Sequence, residues 1–275
     1  MADETPSQPA NLNEEVRRIW DQKAAFWDER MGDDGNQFQR ILVGPASERL
    51  LNLQPGETVL EIGCGNGVFA RRMAQLGVHV IATDFSTQFL ERARARSTAH
   101  SGHIEYRLLD ATREDEILAL GAQRFDAAVC NQAIMDISEI EPLMRGIRQA
   151  VKPGGRFVFS LSHPCFNQAG TTFSVEETTI DGEIITIHAI KTTSYLHFRP
   201  QKGVGMLGEP APHYYFDRPL HVLFNACFQA GLVLDGLEEP AFNSAHDGSQ
   251  PSNLLSWANY REIPPVLVAR WRIPN

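Results

Sequence analysis

The sequence predicts an α/β protein with a mostly parallel sheet and a ligand crevice where its first strand turns into a helix. The two apolar runs Thr58–Ile62 and 78–83 have the length and continuity of buried parallel strands. Between them, Gly63-Cys64-Gly65-Asn66-Gly67 packs three glycines into five residues, permitting positive φ or close backbone approach to a ligand. Asp84 closes the second run, about twenty residues past the first glycine, where an acid often grips ribose hydroxyls.

The remaining elements follow in order. Residues 1–12 read as a disordered lead. Asn13 caps a helix to about Met31, with Val16, Ile19, Trp20, Ala24, Phe26 and Trp27 forming a broad apolar face. A second helix over 38–53 is interrupted near Gly44-Pro45, and Pro55-Gly56 turns into the first strand. After the glycine turn, Val68, Phe69, Met73 and Leu76 recur at helical spacing, and Gly77 ends that helix. Ser86 caps a helix to about 97. A third strand, 104–109, ends at Asp110-Ala111-Thr112, and Phe125–Asn131 is apolar enough to be a central strand. A helix over 140–150 and the Lys152-Pro153-Gly154-Gly155 turn lead to strand five, 156–161. His163 follows it at the carboxyl edge of the sheet, where open α/β sheets bind ligands. Alternating runs at 173–180 and 183–191 around Asp181-Gly182 form a hairpin. An aromatic loop over 194–215 contains Tyr195, His197, Phe198, His213, Tyr214 and Tyr215. An amphipathic helix over 218–230 stops at Gly231, and 232–237 and Val266–Arg272 are the last strands, with loop between them.

At 275 residues the chain is one large domain or a domain with an insertion, and a hydrophobic share of 43% supports a real core. The net charge of −9 argues against a nucleic-acid partner, which needs a cationic face. Cys64, Cys130, Cys165 and Cys227 lack C-x-x-C spacing, so neither a zinc site nor a disulfide framework is expected. No metal-ligand cluster is evident, which makes magnesium-dependent catechol chemistry unexpected. No run reaches membrane-spanning length, and the acidic N-terminus is unlike a signal peptide. A cytoplasmic protein, monomer or homodimer, is expected.

The ligand class turns on the residues around the glycines. The third glycine comes one residue too early for G-x-G-x-x-G, and Glu61 stands two residues before the first. A carboxylate there repels a pyrophosphate and suits a cation. Glu61-Ile62-Gly63-Cys64-Gly65-Asn66-Gly67 resembles motif I of the class I S-adenosyl-L-methionine (SAM) methyltransferases, and Lys152-Pro153-Gly154-Gly155 is a further match. The resemblance is tight over about 55–162 and loose over 217–273. It implies a Rossmann-like, seven-stranded sheet with an antiparallel last strand and helices on both faces. Residues 1–54 then supply the lead and a helical lid, and 55–275 the methyltransferase domain with a substrate-cover insertion at about 167–216.

Site residues follow from the same resemblance. Glu61, Gly63, Cys64, Gly65 and Gly67 bed the methionine and ribose part of SAM. Asp84 binds the ribose hydroxyls, Phe85 borders adenine, and Asp110 with Ala111 receives the adenine amine, although Asp110 also suits a helix N-cap. Asn131 and Gln132 lie by the SAM ammonium, and Met135 by the acceptor. The Asn131-Gln132-Ala133-Ile134 run departs from the Asn/Asp-Pro-Pro-Tyr of enzymes acting on amino groups of nucleic acid or protein. Trp20, Phe26, Trp27, Phe38 and Arg40 on the lid face SAM or substrate, or the aromatics are core and Arg40 a surface charge; Tyr195 and Tyr214 belong to the cover, which alternatively is a dimerisation arm. His163 is a general base, a substrate orienter or a strand cap, and His213 is a second candidate base. Methyl transfer from a sulfonium needs alignment and water exclusion more than acid chemistry, which explains a strong cofactor signature beside a faint catalytic one. A small-molecule methyltransferase is the leading reading; a macromolecule (RNA or protein) methyltransferase, a non-catalytic SAM-binding protein and an NAD-dependent oxidoreductase compete with it.

Overall fold

In chain order the strands are β1 (Thr58–Ile62), β2 (His79–Asp84), β3 (Ile104–Leu108), β4 (Phe125–Asn131), β5 (Val151–Ser162), β6 (Thr171–Ile180), β7 (Glu183–Thr192), β8 (Gln201–Gly203), β9 (His213–Tyr215), β10 (Val233–Glu238) and β11 (Val266–Arg272). Seven of them make one sheet in the order β10-β11-β5-β4-β1-β2-β3. The first five are parallel, and β11 runs antiparallel to both β5 and β10. The computed structural model describes residues 12–100, 102–196, 199–243, 248–249, 251 and 253–275. The expected lead before Leu12, and His197 and Phe198 of the aromatic loop, lie outside the described residues.

The chain steps outward from β1 to β2 and β3, then returns to place β4 on the other side of β1. That reversal leaves a crevice at the carboxyl ends of β1 and β4, the switch point at which such sheets bind ligands. Strand alternation builds a core on each face. Phe157, Phe159 and Leu161 of β5 and Leu267, Ala269 and Trp271 of β11 belong to one core, with Val158, Val266 and Val268 in the other. The helices are α1 (Leu12–Met31), α2 (Gly44–Leu51), α3 (Val68–Gln75), α4 (Thr87–Arg96), α5 (Glu114–Leu118), α6 (Glu141–Ala150) and α7 (Leu220–Gln229). α5, α6 and α7 cover the first core, while α2, α3 and α4 cover the second. Gly67 (φ 80°) precedes α3, Gly77 (φ 79°) follows it, and Ser86 Oγ caps α4 by accepting the Phe89 N–H.

Three details differ from expectation. The helix over 38–53 is not broken at Gly44-Pro45: a π-helical turn, Gln39–Val43, runs directly into α2, with Pro45 at the change from π to α winding. Lys152–Gly155 lies within β5, but the register jumps from Phe125↔Val151 to Ala127↔Arg156, so the four residues bulge out of the ladder. The aromatic loop contains a short β8–β9 pair.

The hairpin forms as expected, with Asp181 and Gly182 both at positive φ. It does not cover the crevice. Its base packs through Phe173 on Trp257 and Tyr260, and its distal residues, including Ile184 at 74% exposure, reach solvent. The crevice is instead walled by 167–169 at the hairpin's foot and by residues between 203 and 217.

Candidate active site

A cavity of about 710 Å³ opens at the carboxyl ends of β1–β5, beneath α1. Such a volume lies in the upper part of the range for small-ligand sites. At one end stands the glycine turn. A Cβ on Gly63 would come within 2.5 Å of Ala133 Cβ, and one on Gly67 within 2.4 Å of Tyr106 Oη. A Cβ on Gly65 would meet nothing within 4 Å and would project into unfilled space. Gly63 and Gly65 line the cavity; Gly67 does not, and its lack of a side chain serves helix–sheet packing.

Carboxylates surround this end. Asp84 Oδ2 accepts the Gly65 N–H and Oδ1 the Ser86 N–H, both at 2.9 Å, so β2 fixes the turn. Burial pushes its pKa up to about 6 against the lowering effect of those bonds. Glu61 is 2% exposed, and its Oε2 has no hydrogen-bond partner. Burial raises its pKa to about 8, with Arg71 opposing and Asp84 adding to the shift. Asp110 closes its own turn through Thr112 and receives the Asn13 amide at 2.6 Å, which ties α1 to β3. It does not cap α5, whose N-cap is Arg113. Cys64, Phe85, Ala111, Asn131 and Gln132 also face the cavity. Ser47 and Ser160 both donate to Asn131 Oδ1, and the side-chain amide nitrogens of Asn131 and Gln132 are buried without acceptors.

The opposite end is made by the lid. Trp20 and Trp27 line it, and both indole nitrogens are buried without partners. His213 and Tyr215 point in from β9, and Met135, Asp136 and Asp217 complete the wall. Behind the wall, fully buried Lys23 pairs with Glu209 at 2.7 Å and donates to His213 Nδ1. An ammonium has only donors, so Nδ1 accepts and a neutral His213 carries its proton on Nε2. Burial and Lys23 lower its pKa to about 3. His213 thus presents its Nε2–H toward Asp136, 3.8 Å away.

Four other expected residues lie away from the cavity. His163 is 2% exposed; Nδ1 accepts the Cys165 N–H, leaving Nε2–H for Glu239 at 2.8 Å. With both nitrogens engaged, it braces the end of β5, and Ser162 faces the cavity instead. Arg40 is exposed and donates to Gly35 O. Tyr195 Oη accepts the Leu220 N–H. Tyr214 stacks on Phe216 beneath Lys202 and donates to Glu15, on the strand face opposite His213 and Tyr215. Asp136, Tyr215 and Asp217 are the site residues that sequence reasoning missed. The i, i+2 relation of His213 and Tyr215 would have paired them had 213–215 been read as a strand.

The described residues that line the cavity include five carboxylates, Glu61, Asp84, Asp110, Asp136 and Asp217, and no lysine or arginine.

Residues 60–159 match the model of a methyltransferase domain. The structure superposes on an S-adenosylmethionine-dependent methyltransferase from Mesorhizobium loti with a TM-score of 0.66 and 26% identity, covering 83% of this chain and 96% of that one. The chain carries a class I SAM-dependent methyltransferase domain. A ubiquinone biosynthesis O-methyltransferase from Coxiella burnetii is 26% identical over 159 residues, 57% of this chain and 64% of the relative. One of the same name from Xanthomonas campestris is 30% identical over 106 residues, 38% of this chain and 43% of the relative. The chain thus spans under two thirds of these relatives' length.

Proposed function

We propose that the protein is a SAM-dependent methyltransferase acting on a small-molecule acceptor. The carrying observation is the orphaned, buried Glu61 carboxylate at the glycine turn of a cavity lined by acids without lysine or arginine. A dinucleotide brings a pyrophosphate, which such a wall repels; SAM brings an ammonium and a sulfonium, which it attracts. The open space beside Gly65 and the buried Asn131 and Gln132 amide donors, which suit a carboxylate, also fit the amino-acid part of SAM.

In this reading Glu61 receives the ammonium, Asn131 and Gln132 the carboxylate, Asp84 the ribose hydroxyls, and Asp110 with Phe85 the adenine. SAM when bound supplies an electrophilic methyl group on a good, neutral leaving group. The chain's own residues hold both molecules in line and keep water away, with α1 as a lid over the cleft and the 203–217 segment as its side wall. Small molecules are favoured as acceptors by the acidic cleft and by the names of the relatives. Among the described residues no helix is long and apolar enough to cross a membrane. The cysteines are free, as suits a reducing, cytoplasmic setting, and a monomer or homodimer is our reading of the assembly.

The test is to incubate the protein with methyl-labelled SAM and a cell extract separated into low-mass, RNA and protein fractions. Label entering the low-mass fraction is expected. Label confined to RNA or protein would refute the small-molecule assignment.

A further inference from the structure

At the lid end of the cavity a buried carboxyl oxygen has no hydrogen-bond partner among the described residues. Asp136 Oδ1 is buried without a hydrogen-bond partner. His213 Nε2 lies 3.8 Å from it, beyond hydrogen-bonding distance and neutral because Lys23 occupies Nδ1. Lys23 is the near cation, but its ammonium is taken by Glu209 at 2.7 Å and lies behind the wall, 4.4 Å from the Trp20 ring centroid and 5.7 Å from that of Trp27. Asp217, on the same wall, accepts the Ala169 N–H at 2.9 Å and adds to the negative potential at Asp136. An unanswered buried carboxylate is costly, so the protein gains when a ligand supplies the missing donor.

Aromatic rings line the same end of the cavity as Asp136. Trp20 lies 4.6 Å from the His213 ring and 5.8 Å from Trp27, and Tyr215 lies 4.3 Å from His213, centroid to centroid. Aromatic faces beside a carboxylate attract ammonium groups by cation–π and charge attraction together. An acceptor bearing phosphate or carboxylate would have no lysine or arginine to meet on the described cavity lining. The two orphan indole N–H groups tolerate a neutral oxygen on the same molecule but do not offset two acids.

Resting on the methyltransferase reading, we propose that the acceptor is a small amine, anchored by Asp136 within the Trp20–Trp27–Tyr215 walls. Asp136 takes a proton from the bound ammonium, freeing the nitrogen lone pair. The nitrogen then forms the new C–N bond as the C–S bond breaks, its electron pair staying on sulfur. His213 is a positioning residue, presenting Nε2–H toward Asp136.

The test uses three probes of one shape, benzylamine, benzyl alcohol and benzoate, titrated into the full chain while tryptophan fluorescence is read. S-adenosylhomocysteine (SAH) is titrated separately. Benzylamine is expected to bind at least about tenfold more tightly than either other probe. Asp136→Asn should bring the three within about threefold while keeping SAH affinity within about twofold of wild type. The proposal is overturned by benzoate or benzyl alcohol matching benzylamine, by no probe binding below about 10 mM, or by Asp136→Asn retaining the preference. Should Asp136→Asn fail to bind SAH, the wild-type ranking alone decides. Absence of SAH binding to wild type would strike the donor reading, whereas the probe ranking reports on the subsite.

Discussion

Asn66, inside the glycine turn, donates its side-chain amide to Asp28 Oδ1 on the lid helix at 3.0 Å. The same amide reaches Gly32 O, at the end of α1, at 3.0 Å. Asp28 also receives Arg96 Nε at 2.5 Å and Arg92 Nη1 at 3.4 Å from α4. Burial alone would raise the Asp28 pKa, yet these donors outweigh it and hold the carboxyl below its ordinary value. Lid, glycine turn and α4 therefore meet at one carboxylate.

Asp28→Ala should release the lid from the turn. Losing several charge-assisted bonds costs on the order of 2–3 kcal/mol of stability. SAH affinity should fall about tenfold, and hydrogen exchange over 12–31 should rise. Unchanged SAH affinity with a frayed α1 would show that the lid and the donor site are independent.

Gly65→Ala and Gly67→Ala should part company although both residues have positive φ. Alanine at 67 must displace Tyr106 Oη and should lower the melting temperature by several degrees, roughly 2–4 °C per kcal/mol for a chain of this size. Alanine at 65 costs only about 1 kcal/mol of backbone strain, but its methyl enters the ligand space and should weaken SAH binding disproportionately. Differential scanning calorimetry and SAH titration of both variants check this.

Glu61 sets a pH dependence. Its folded pKa of about 8 lies above its ordinary 4.5, so the folded protein holds an extra proton between those values. This contribution to stability is full below about 4.5 and is lost as pH rises through about 8. Asp84, raised to about 6, acts in the same direction over a lower window. Glu61→Gln should therefore be the more stable protein at pH 9, by a few kcal/mol (about 1.4 per pKa unit), while binding SAM poorly. A cationic ligand should expel the proton, so SAM binding near pH 7 should release up to about one proton. Calorimetry in buffers of different ionisation enthalpy measures it; no release would contradict the assigned contact.

His163→Gln should lower stability by about 1–2 kcal/mol through loss of the Glu239 and Cys165 bonds, leaving SAH affinity and methyl transfer near wild type. A large fall in turnover at unchanged stability would return His163 to the chemistry.

The cofactor end was legible because its determinants are local: Gly63, Gly65, Glu61 and Asp84 follow strands whose apolar runs announce themselves. The lid end was not, because its partners are remote in sequence. Lys23 meets Glu209 and His213 about 190 residues away, and Asp136 gains its meaning from His213. His163 misled because a histidine after strand five sits at the right edge of the sheet, yet Glu239 turns its ring away from the cavity. Arg40 belonged to a lid element but to that element's outer face.

The most direct measurement is a calorimetric titration of SAH and of NADH into wild type and Asp84→Asn at pH 7.5. SAH should bind wild type with Kd on the order of micromolar and NADH should give no heat of binding. Asp84→Asn should weaken SAH about a hundredfold, the worth of two hydrogen bonds to a charged group. NADH binding to a wild-type protein that ignores SAH would contradict the assignment of a cationic methyl donor to this cleft.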